Sequence, residues 1–157
     1  MRAYIGLGSN VGDRSAYLSK ALEAMKSRGI QVVETSSIYE TDPVGPPQPD
    51  FLNAVCAIET DLSPRDLLSN LKEIERSIGR SEGERWGPRE IDLDVLLYGD
   101  DTVDESDFKL PHPELTNRSF VLIPLLEIAP DLELPSGEPL EVYSRQDSGV
   151  RLHSSLD

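Results

Sequence analysis

The stretch Ser63-Pro64-Arg65-Asp66-Leu67-Leu68-Ser69-Asn70-Leu71-Lys72-Glu73-Ile74-Glu75-Arg76-Ser77-Ile78-Gly79 decides the fold. Ser63 can cap a helix, Pro64 takes the first helical position, where its missing N–H is not needed, and Asp66 follows the cap by three residues. Leu67, Leu71, Ile74 and Ile78 then recur at helical spacing as one apolar stripe, and Gly79 ends the run. Downstream, Glu90–Tyr98 switches to a period of two, so the helix leads into a strand.

Working upstream from that helix, Leu52–Thr60 is a third strand, Gln31–Thr41 a long second strand rich in Val, Ile, Thr and Tyr, and Arg2–Gly8 a first strand with Ala3, Ile5 and Leu7 on one face. Between the first two strands, Asp13 caps a helix with Leu18, Leu22 and Met25 on its apolar stripe, and Gly29 stops it. The order strand, helix, strand, strand, helix, strand predicts an α+β protein with a ferredoxin-like split βαβ (βαββαβ) antiparallel sheet and both helices on one face. A turn at Gly99–Asp101 precedes an additional C-terminal helical segment, Phe120–Ile128, with Pro124 near its first turn. The expected organisation is one catalytic domain, 1–143, and a tail, 144–157, whose last dozen residues fray. No internal repeat or linker interrupts it.

The 157 residues, 38% hydrophobic and 28% charged, suit one soluble domain with a real core. No apolar run approaches a membrane span, and Met1-Arg2-Ala3-Tyr4-Ile5 shows no secretory signal. The lone Cys56 excludes an internal disulfide and agrees with a reducing cytoplasm; its alternation with Ala54 and Ile58 makes it a buried small hydrophobe. The net charge is −14 and uneven: residues 1–91 hold 11 basic and 14 acidic side chains, residues 92–157 hold 4 and 15. Such a surface repels nucleic acid and anionic membranes, leaving a small ligand held by a local arginine cluster or one that arrives with metal ions.

In Ile91-Asp92-Leu93-Asp94-Val95-Leu96-Leu97, the residues Ile91, Leu93, Val95 and Leu97 share the inward face. Asp92 and Asp94 share the other, their Cα atoms roughly 6.5–7 Å apart. Two carboxylates so placed repel unless a cation lies between them, and hard divalent ions such as Mg²⁺ take one or two carboxylates plus phosphate oxygens. The plainer alternative is a solvated strand face. Immediately upstream, Arg80-Ser81-Glu82-Gly83-Glu84-Arg85-Trp86-Gly87-Pro88-Arg89 brings arginines whose planar forks suit phosphate oxygens, unless they merely pair with Glu82, Glu84 and Glu90. Together the two segments point to nucleotide polyphosphate chemistry.

Gly6-Leu7-Gly8-Ser9-Asn10-Val11-Gly12-Asp13 matches neither a Walker loop nor G-x-G-x-x-G, so its glycines serve tight turning and packing. The proline-rich loop from Asp42 to Asp50 suits a preformed pocket wall. Phe51 offers an aromatic plate and Asn53 an amide, a pair that suits a flat heterocycle with alternating donors and acceptors; a core Phe51 and a strand-start Asn53 are the alternative. His112, between Pro111 and Pro113, is a solvated loop histidine or a ligand contact.

Tyr4-Ile5-Gly6-Leu7-Gly8-Ser9-Asn10, Pro49-Asp50-Phe51-Leu52-Asn53-Ala54, Arg85-Trp86-Gly87-Pro88-Arg89-Glu90-Ile91-Asp92-Leu93-Asp94, Pro111-His112-Pro113 and Arg118-Ser119-Phe120-Val121-Leu122 with Pro124-Leu125-Leu126-Glu127-Ile128-Ala129-Pro130 resemble the 6-hydroxymethyl-7,8-dihydropterin pyrophosphokinase family of folate biosynthesis. The resemblance runs from Tyr4 to about Glu141, and its Arg-Trp-Gly-Pro-Arg to Asp-x-Asp run is the most specific part. It implies transfer of the β,γ-diphosphate of ATP to the hydroxymethyl group, releasing AMP, by a cytoplasmic monomer that uses two Mg²⁺ ions. It places the ions on Asp92 and Asp94, the pterin between Phe51 and Phe120, and at the pterin's polar edge Asn53 together with backbone groups of Thr41, Asp42 and Val44. Trp86 closes the pocket, Arg80 and Arg89 hold the triphosphate, and His112, Arg118 and Val95 contact ATP. Asp94 is the residue to assist deprotonation of the hydroxyl. Glu82 departs from the family by standing where a second arginine is common, and Asp107 and Lys109 stand where many members carry Arg and Thr. A pterin or nucleotide sensor without turnover and an acidic interaction domain remain as rivals at this stage.

Overall fold

Alternation along the strands places one apolar row against two helices, and the computed structural model, which describes residues 1–42, 47–78, 90–144 and 149–156, shows that arrangement. Strand β1 (Arg2–Ser9) leads to helix α1 (Arg14–Ser27), strands β2 (Gln31–Thr35), β3 (Ser37–Thr41) and β4 (Phe51–Glu59), helix α2 (Pro64–Ile78) and strand β5 (Asp92–Tyr98). The main sheet is antiparallel and ordered β5-β1-β4-β3, with β2 also pairing β4. That is the expected ferredoxin-like order. The long second strand is divided at Ser36, whose hydroxyl accepts from the Val55 N–H at 2.9 Å while its own N–H donates to the Val55 carbonyl at 2.8 Å.

Both helices begin where their caps predict. The Asp13 carboxylate accepts from the Ala16 N–H at 3.2 Å and the Ser63 hydroxyl from the Asp66 N–H at 3.1 Å. Leu18, Leu22 and Met25 of α1 and Leu67, Leu71 and Ile74 of α2 bury their side chains with Ala3, Ile5, Leu7, Leu93 and Val95 of the sheet. Gly29 follows α1 at a φ of 77°, a left-handed conformation that glycine adopts without strain. No helix among the described residues is long and apolar enough to cross a membrane.

Helix α3 (Ser119–Ile128) lies across β3 and β4 on the opposite side of the sheet. Its Leu122 and Leu125 form a second, smaller cluster with Val55, Leu96, Leu97, Leu115 and Leu140. Pro124 falls in its second turn, not its first. Leu97 belongs to this cluster and not to the helix-backed face, because the β1–β5 register shifts between Tyr4 and Ile5 and leaves Leu96 as an extra residue.

Two elements depart from expectation. A hairpin of β6 (Val103–Glu105) and β7 (Phe108–Leu110) forms where no strand was predicted, with Phe108 and Leu110 buried. Among the described residues of the tail, the expected fraying is replaced by order: β8 (Val150–Ser155) pairs antiparallel with β3 and extends the sheet, and Leu156 is buried behind it.

Candidate active site

Register across the sheet brings the polar residues into rows on the side that carries α3. Gly8 of β1 lies between Asp92 of β5 and Asn53 of β4, and Asn53 in turn faces Tyr39 of β3. One step along, Gly6 lies between Asp94 and Val55. Directly paired antiparallel residues project to the same face, so Asp92, Asp94, Asn53 and Phe51 share one surface. The two glycines form its floor. A Cβ on Gly8 would stand 3.1 Å from the Asn53 Oδ1 and 3.6 Å from the Phe51 Cδ1, so a side chain there would intrude between the amide and the carboxylates. The sequence reading gave these glycines a packing role and missed the floor, which becomes visible only when cross-strand partners are known.

Asn53 is buried, and its Nδ2 donates to the Thr41 hydroxyl at 2.7 Å. This leaves Oδ1 turned over Gly8, an acceptor beside the half-buried Phe51 ring. Asn10 holds the approach to Phe51 by donating to the Pro49 carbonyl at 2.9 Å and to Gln48 Oε1 at 2.8 Å.

Desolvation at the sheet surface and then the adjacent Asp92 charge push the Asp94 carboxyl up to about 7. Lys72 and Arg118 pull it the other way, so both cations lie within charge range of it. Behind the pair, the buried Glu75 of α2 accepts from the outward N–H of Leu93 at 2.7 Å and meets Lys72 Nζ at 3.4 Å. Neither Lys72 nor Glu75 was singled out in the sequence, where both look like ordinary helix-surface charges.

The start of α3 adds residues on the same side of the sheet. Arg118 immediately precedes the helix and its guanidinium lies 5.7 Å from the Phe120 ring centroid. Glu127, near the other end of α3, fixes the helix to β3: its carboxylate accepts from the Ser37 N–H at 3.0 and 3.1 Å, the Ser37 hydroxyl at 3.0 Å and the Tyr39 hydroxyl at 2.6 Å. His112 is set beside β5 by its N–H, which donates to the Leu96 carbonyl at 3.0 Å. Burial and then Arg118 hold its imidazole below the usual pKa, and its Nδ1 accepts from the Glu114 N–H at 3.1 Å. The neutral ring therefore carries its proton on Nε2, where it can donate.

Asp92, Asp94, Asn53, Phe51 and Thr41 are thus gathered on adjoining strands, with His112, Arg118 and Phe120 along the rim. The Asp42 side chain is exposed and pairs with Arg151, while the part expected of this residue belongs to its backbone groups. Val95 is not gathered: its side chain is buried in the helix-backed core, on the other side of the sheet from the carboxylates. Arg80, Trp86, Arg89 and Val44 lie outside the described residues. Among the described residues no group of three His, Cys, Asp or Glu side chains surrounds a metal position. Two carboxylates alone suit a cation that takes its remaining ligands from water and phosphate oxygens, as Mg²⁺ does. A separate cleft of about 340 Å³, lined by Asp13, Ser15, Ile38 and Ser154 among others, lies by the start of α1 and shares none of these residues.

Residues 4–130 match the family model for 7,8-dihydro-6-hydroxymethylpterin-pyrophosphokinase (HPPK). A Haemophilus influenzae protein named 2-amino-4-hydroxy-6-hydroxymethyldihydropteridine pyrophosphokinase is 46% identical over 146 residues, covering 92% of this chain and 91% of that one. An Aquifex aeolicus protein of the same name is 44% identical over 147 residues, covering 92% and 91%. Among solved structures, a Plasmodium falciparum HPPK-DHPS chain superposes with a TM-score of 0.73 at 15% identity, over 90% of this chain. This chain spans only 44% of that longer one, and at that identity the likeness is one of fold.

Proposed function

The chain belongs to the 7,8-dihydro-6-hydroxymethylpterin-pyrophosphokinase family, and from that membership we propose that it transfers the β,γ-diphosphate of ATP to the hydroxymethyl group of 6-hydroxymethyl-7,8-dihydropterin in folate biosynthesis. The observation that carries the reading to particular residues is the row Asp92–Gly8–Asn53: a carboxylate and an amide on one surface with a glycine between them.

In this reading the pterin lies against Phe51, with Phe120 opposite, and the Asn53 Oδ1 accepts from its amino-substituted edge while Thr41 fixes the amide's orientation. The triphosphate lies towards β5. Asp92 and Asp94 would hold Mg²⁺, two ions in all, which when bound neutralise the polyphosphate and hold its oxygens in place. Transfer of this kind asks for alignment and charge compensation more than covalent help. The hydroxymethyl oxygen bonds to the β-phosphorus, the bond from that phosphorus to the α,β-bridging oxygen breaks, and AMP departs with that oxygen. The hydroxyl proton passes to a carboxylate oxygen of Asp94. His112 Nε2–H and Arg118 donate to ATP oxygens, Arg80 and Arg89 supply further positive charge, and Trp86 excludes water. ATP and the dihydropterin are the only partners required, and a cytoplasmic monomer suffices.

Release of AMP from ATP, measured with and without the hydroxymethyl dihydropterin and with the divalent ion chelated, tests the proposal. AMP should form only with both substrates and the ion. A protein that binds both substrates yet releases no AMP would be a sensor, and one whose melting temperature neither ligand raises would be no enzyme of this class. A ligand at 100 times its Kd adds about 2.7 kcal/mol of stability.

A further inference from the structure

We infer that β8 braces the pterin-reading corner of the site, with Arg151 as the positioning residue, an inference that rests on the function proposed above. The last β3–β4 pair is Thr41 with Phe51, so the two strands diverge where the amide, hydroxyl and ring of that corner sit. The Arg151 guanidinium spans the divergence. Its Nη1 donates to Asp42 Oδ1 at 3.2 Å, one residue beyond Thr41, and its Nη2 donates to Asp50 Oδ2 at 3.0 Å, one residue before Phe51. Glu40, directly opposite Arg151 in the β3–β8 ladder, lies 3.9 Å from Nη2.

Arg14 closes the same joint from the α1 side, donating to Glu40 Oε2 at 2.8 Å and to the Asp50 carbonyl at 3.0 Å. The backbone is shaped for this approach. Gly149 has a φ of 67°, and a Cβ there would stand 2.9 Å from Asp42 Oδ2, so only a residue without a side chain lets β8 enter this close to Asp42. A planar fork that reaches two carboxylates at once is what arginine supplies and lysine does not.

These ion pairs are exposed, so each adds little to global stability. Their effect is geometric. They fix the spacing of Thr41 and Phe51, and through Thr41 the Asn53 amide, without touching the carboxylate end of the site.

Steady-state kinetics with each substrate varied separately tests the inference. Arg151→Ala should raise the pterin KM about three- to fivefold while leaving the ATP KM and the melting temperature near wild type. Arg151→Lys, able to reach one carboxylate at a time, should recover only part of the change. Asp50→Asn reaches the joint from the other side and should act in the same direction, which keeps the test alive if Arg151→Ala folds poorly. An unchanged pterin KM in Arg151→Ala and Asp50→Asn, or pterin and ATP KM values rising in step, overturns the bracing role. Wild-type turnover in the same assay stands for the enzymatic function itself, so an active wild type with indifferent variants removes only the brace.

Discussion

The two faces of the central strands are built from alternate residues of the same chain and behave as different materials. On the helix-backed face, Ile5, Leu7, Leu93 and Val95 are buried in a continuous apolar cluster with α1 and α2. On the other, their immediate neighbours Gly6, Gly8, Asp92 and Asp94 leave a floor without side chains beside two carboxylates that repel each other. One face supplies stability and the other uses it: the like-charge pair and the glycines, each unfavourable in a strand, persist because the neighbouring residues over-determine the backbone.

Breaking the polar face at its charged end should give the largest effect. Asp94→Ala should reduce turnover at least about a thousandfold, a loss of the size that follows from removing preorganised charge compensation. The circular dichroism spectrum should stay native, and the melting temperature of the ion-free protein should hold or rise as the repulsion disappears. Near-normal AMP release would remove Asp94 from the site. The apolar face should break the opposite way. Ile5→Ala should lower urea-derived stability by about 2–5 kcal/mol with both KM values of the folded protein unchanged, and a selective rise in either KM would show that the two faces are not separable.

A smaller test addresses the floor between them. Gly8→Ala places a methyl group 3.1 Å from Asn53 Oδ1, and the pterin KM should rise roughly tenfold without loss of stability. A pterin KM equal to wild type would mean that the amide does not read the substrate across Gly8. The smallest effect concerns the joint at the sheet's far side. The Arg14 hydrogen bond holds the Glu40 carboxyl below the usual carboxylate range, so its stabilisation is complete above pH about 4.3 and is lost as pH falls through the lower folded value. Glu40→Gln should therefore be less stable than wild type by at most about 1 kcal/mol at pH 7, and the difference should shrink as the pH is lowered into the acid range where Glu40 takes up its proton. A difference that persists in acid would assign it to packing.

Most of the frame is legible in local chemistry. The cap, first-turn proline and apolar stripe of α2 are properties of neighbouring residues, and the alternation that puts Asp92 and Asp94 on one face needs only the period of a strand. What escapes is whatever depends on a distant partner. Leu97 changes face because of a register shift against β1, which one strand's pattern cannot contain. The hairpin at 103–110 is acidic and short, and α2 holds it through Arg65, which pairs with Asp107 and stacks on Phe108. Strand β8 leaves most of its side chains exposed, so it lacks the apolar alternation that would announce it and owes its form to pairing with β3. The same holds within the site. Asn53 and Phe51 stand out by residue type, whereas Glu127, Lys72 and the Gly8 floor acquire meaning only from what lies across from them.

The interruption at Ser36 sets which way the residues after it point. Thr35 pairs with Cys56 but Tyr39 with Asn53, so the chain has gained one residue relative to β4 in passing Ser36. Without that half-period step, Ile38 and Glu40 would face the pterin corner, and Tyr39 and Thr41 would be turned under the helices. A single serine thus works as a phase shifter, and deleting one residue there would invert the strand while leaving every downstream side chain chemically the same.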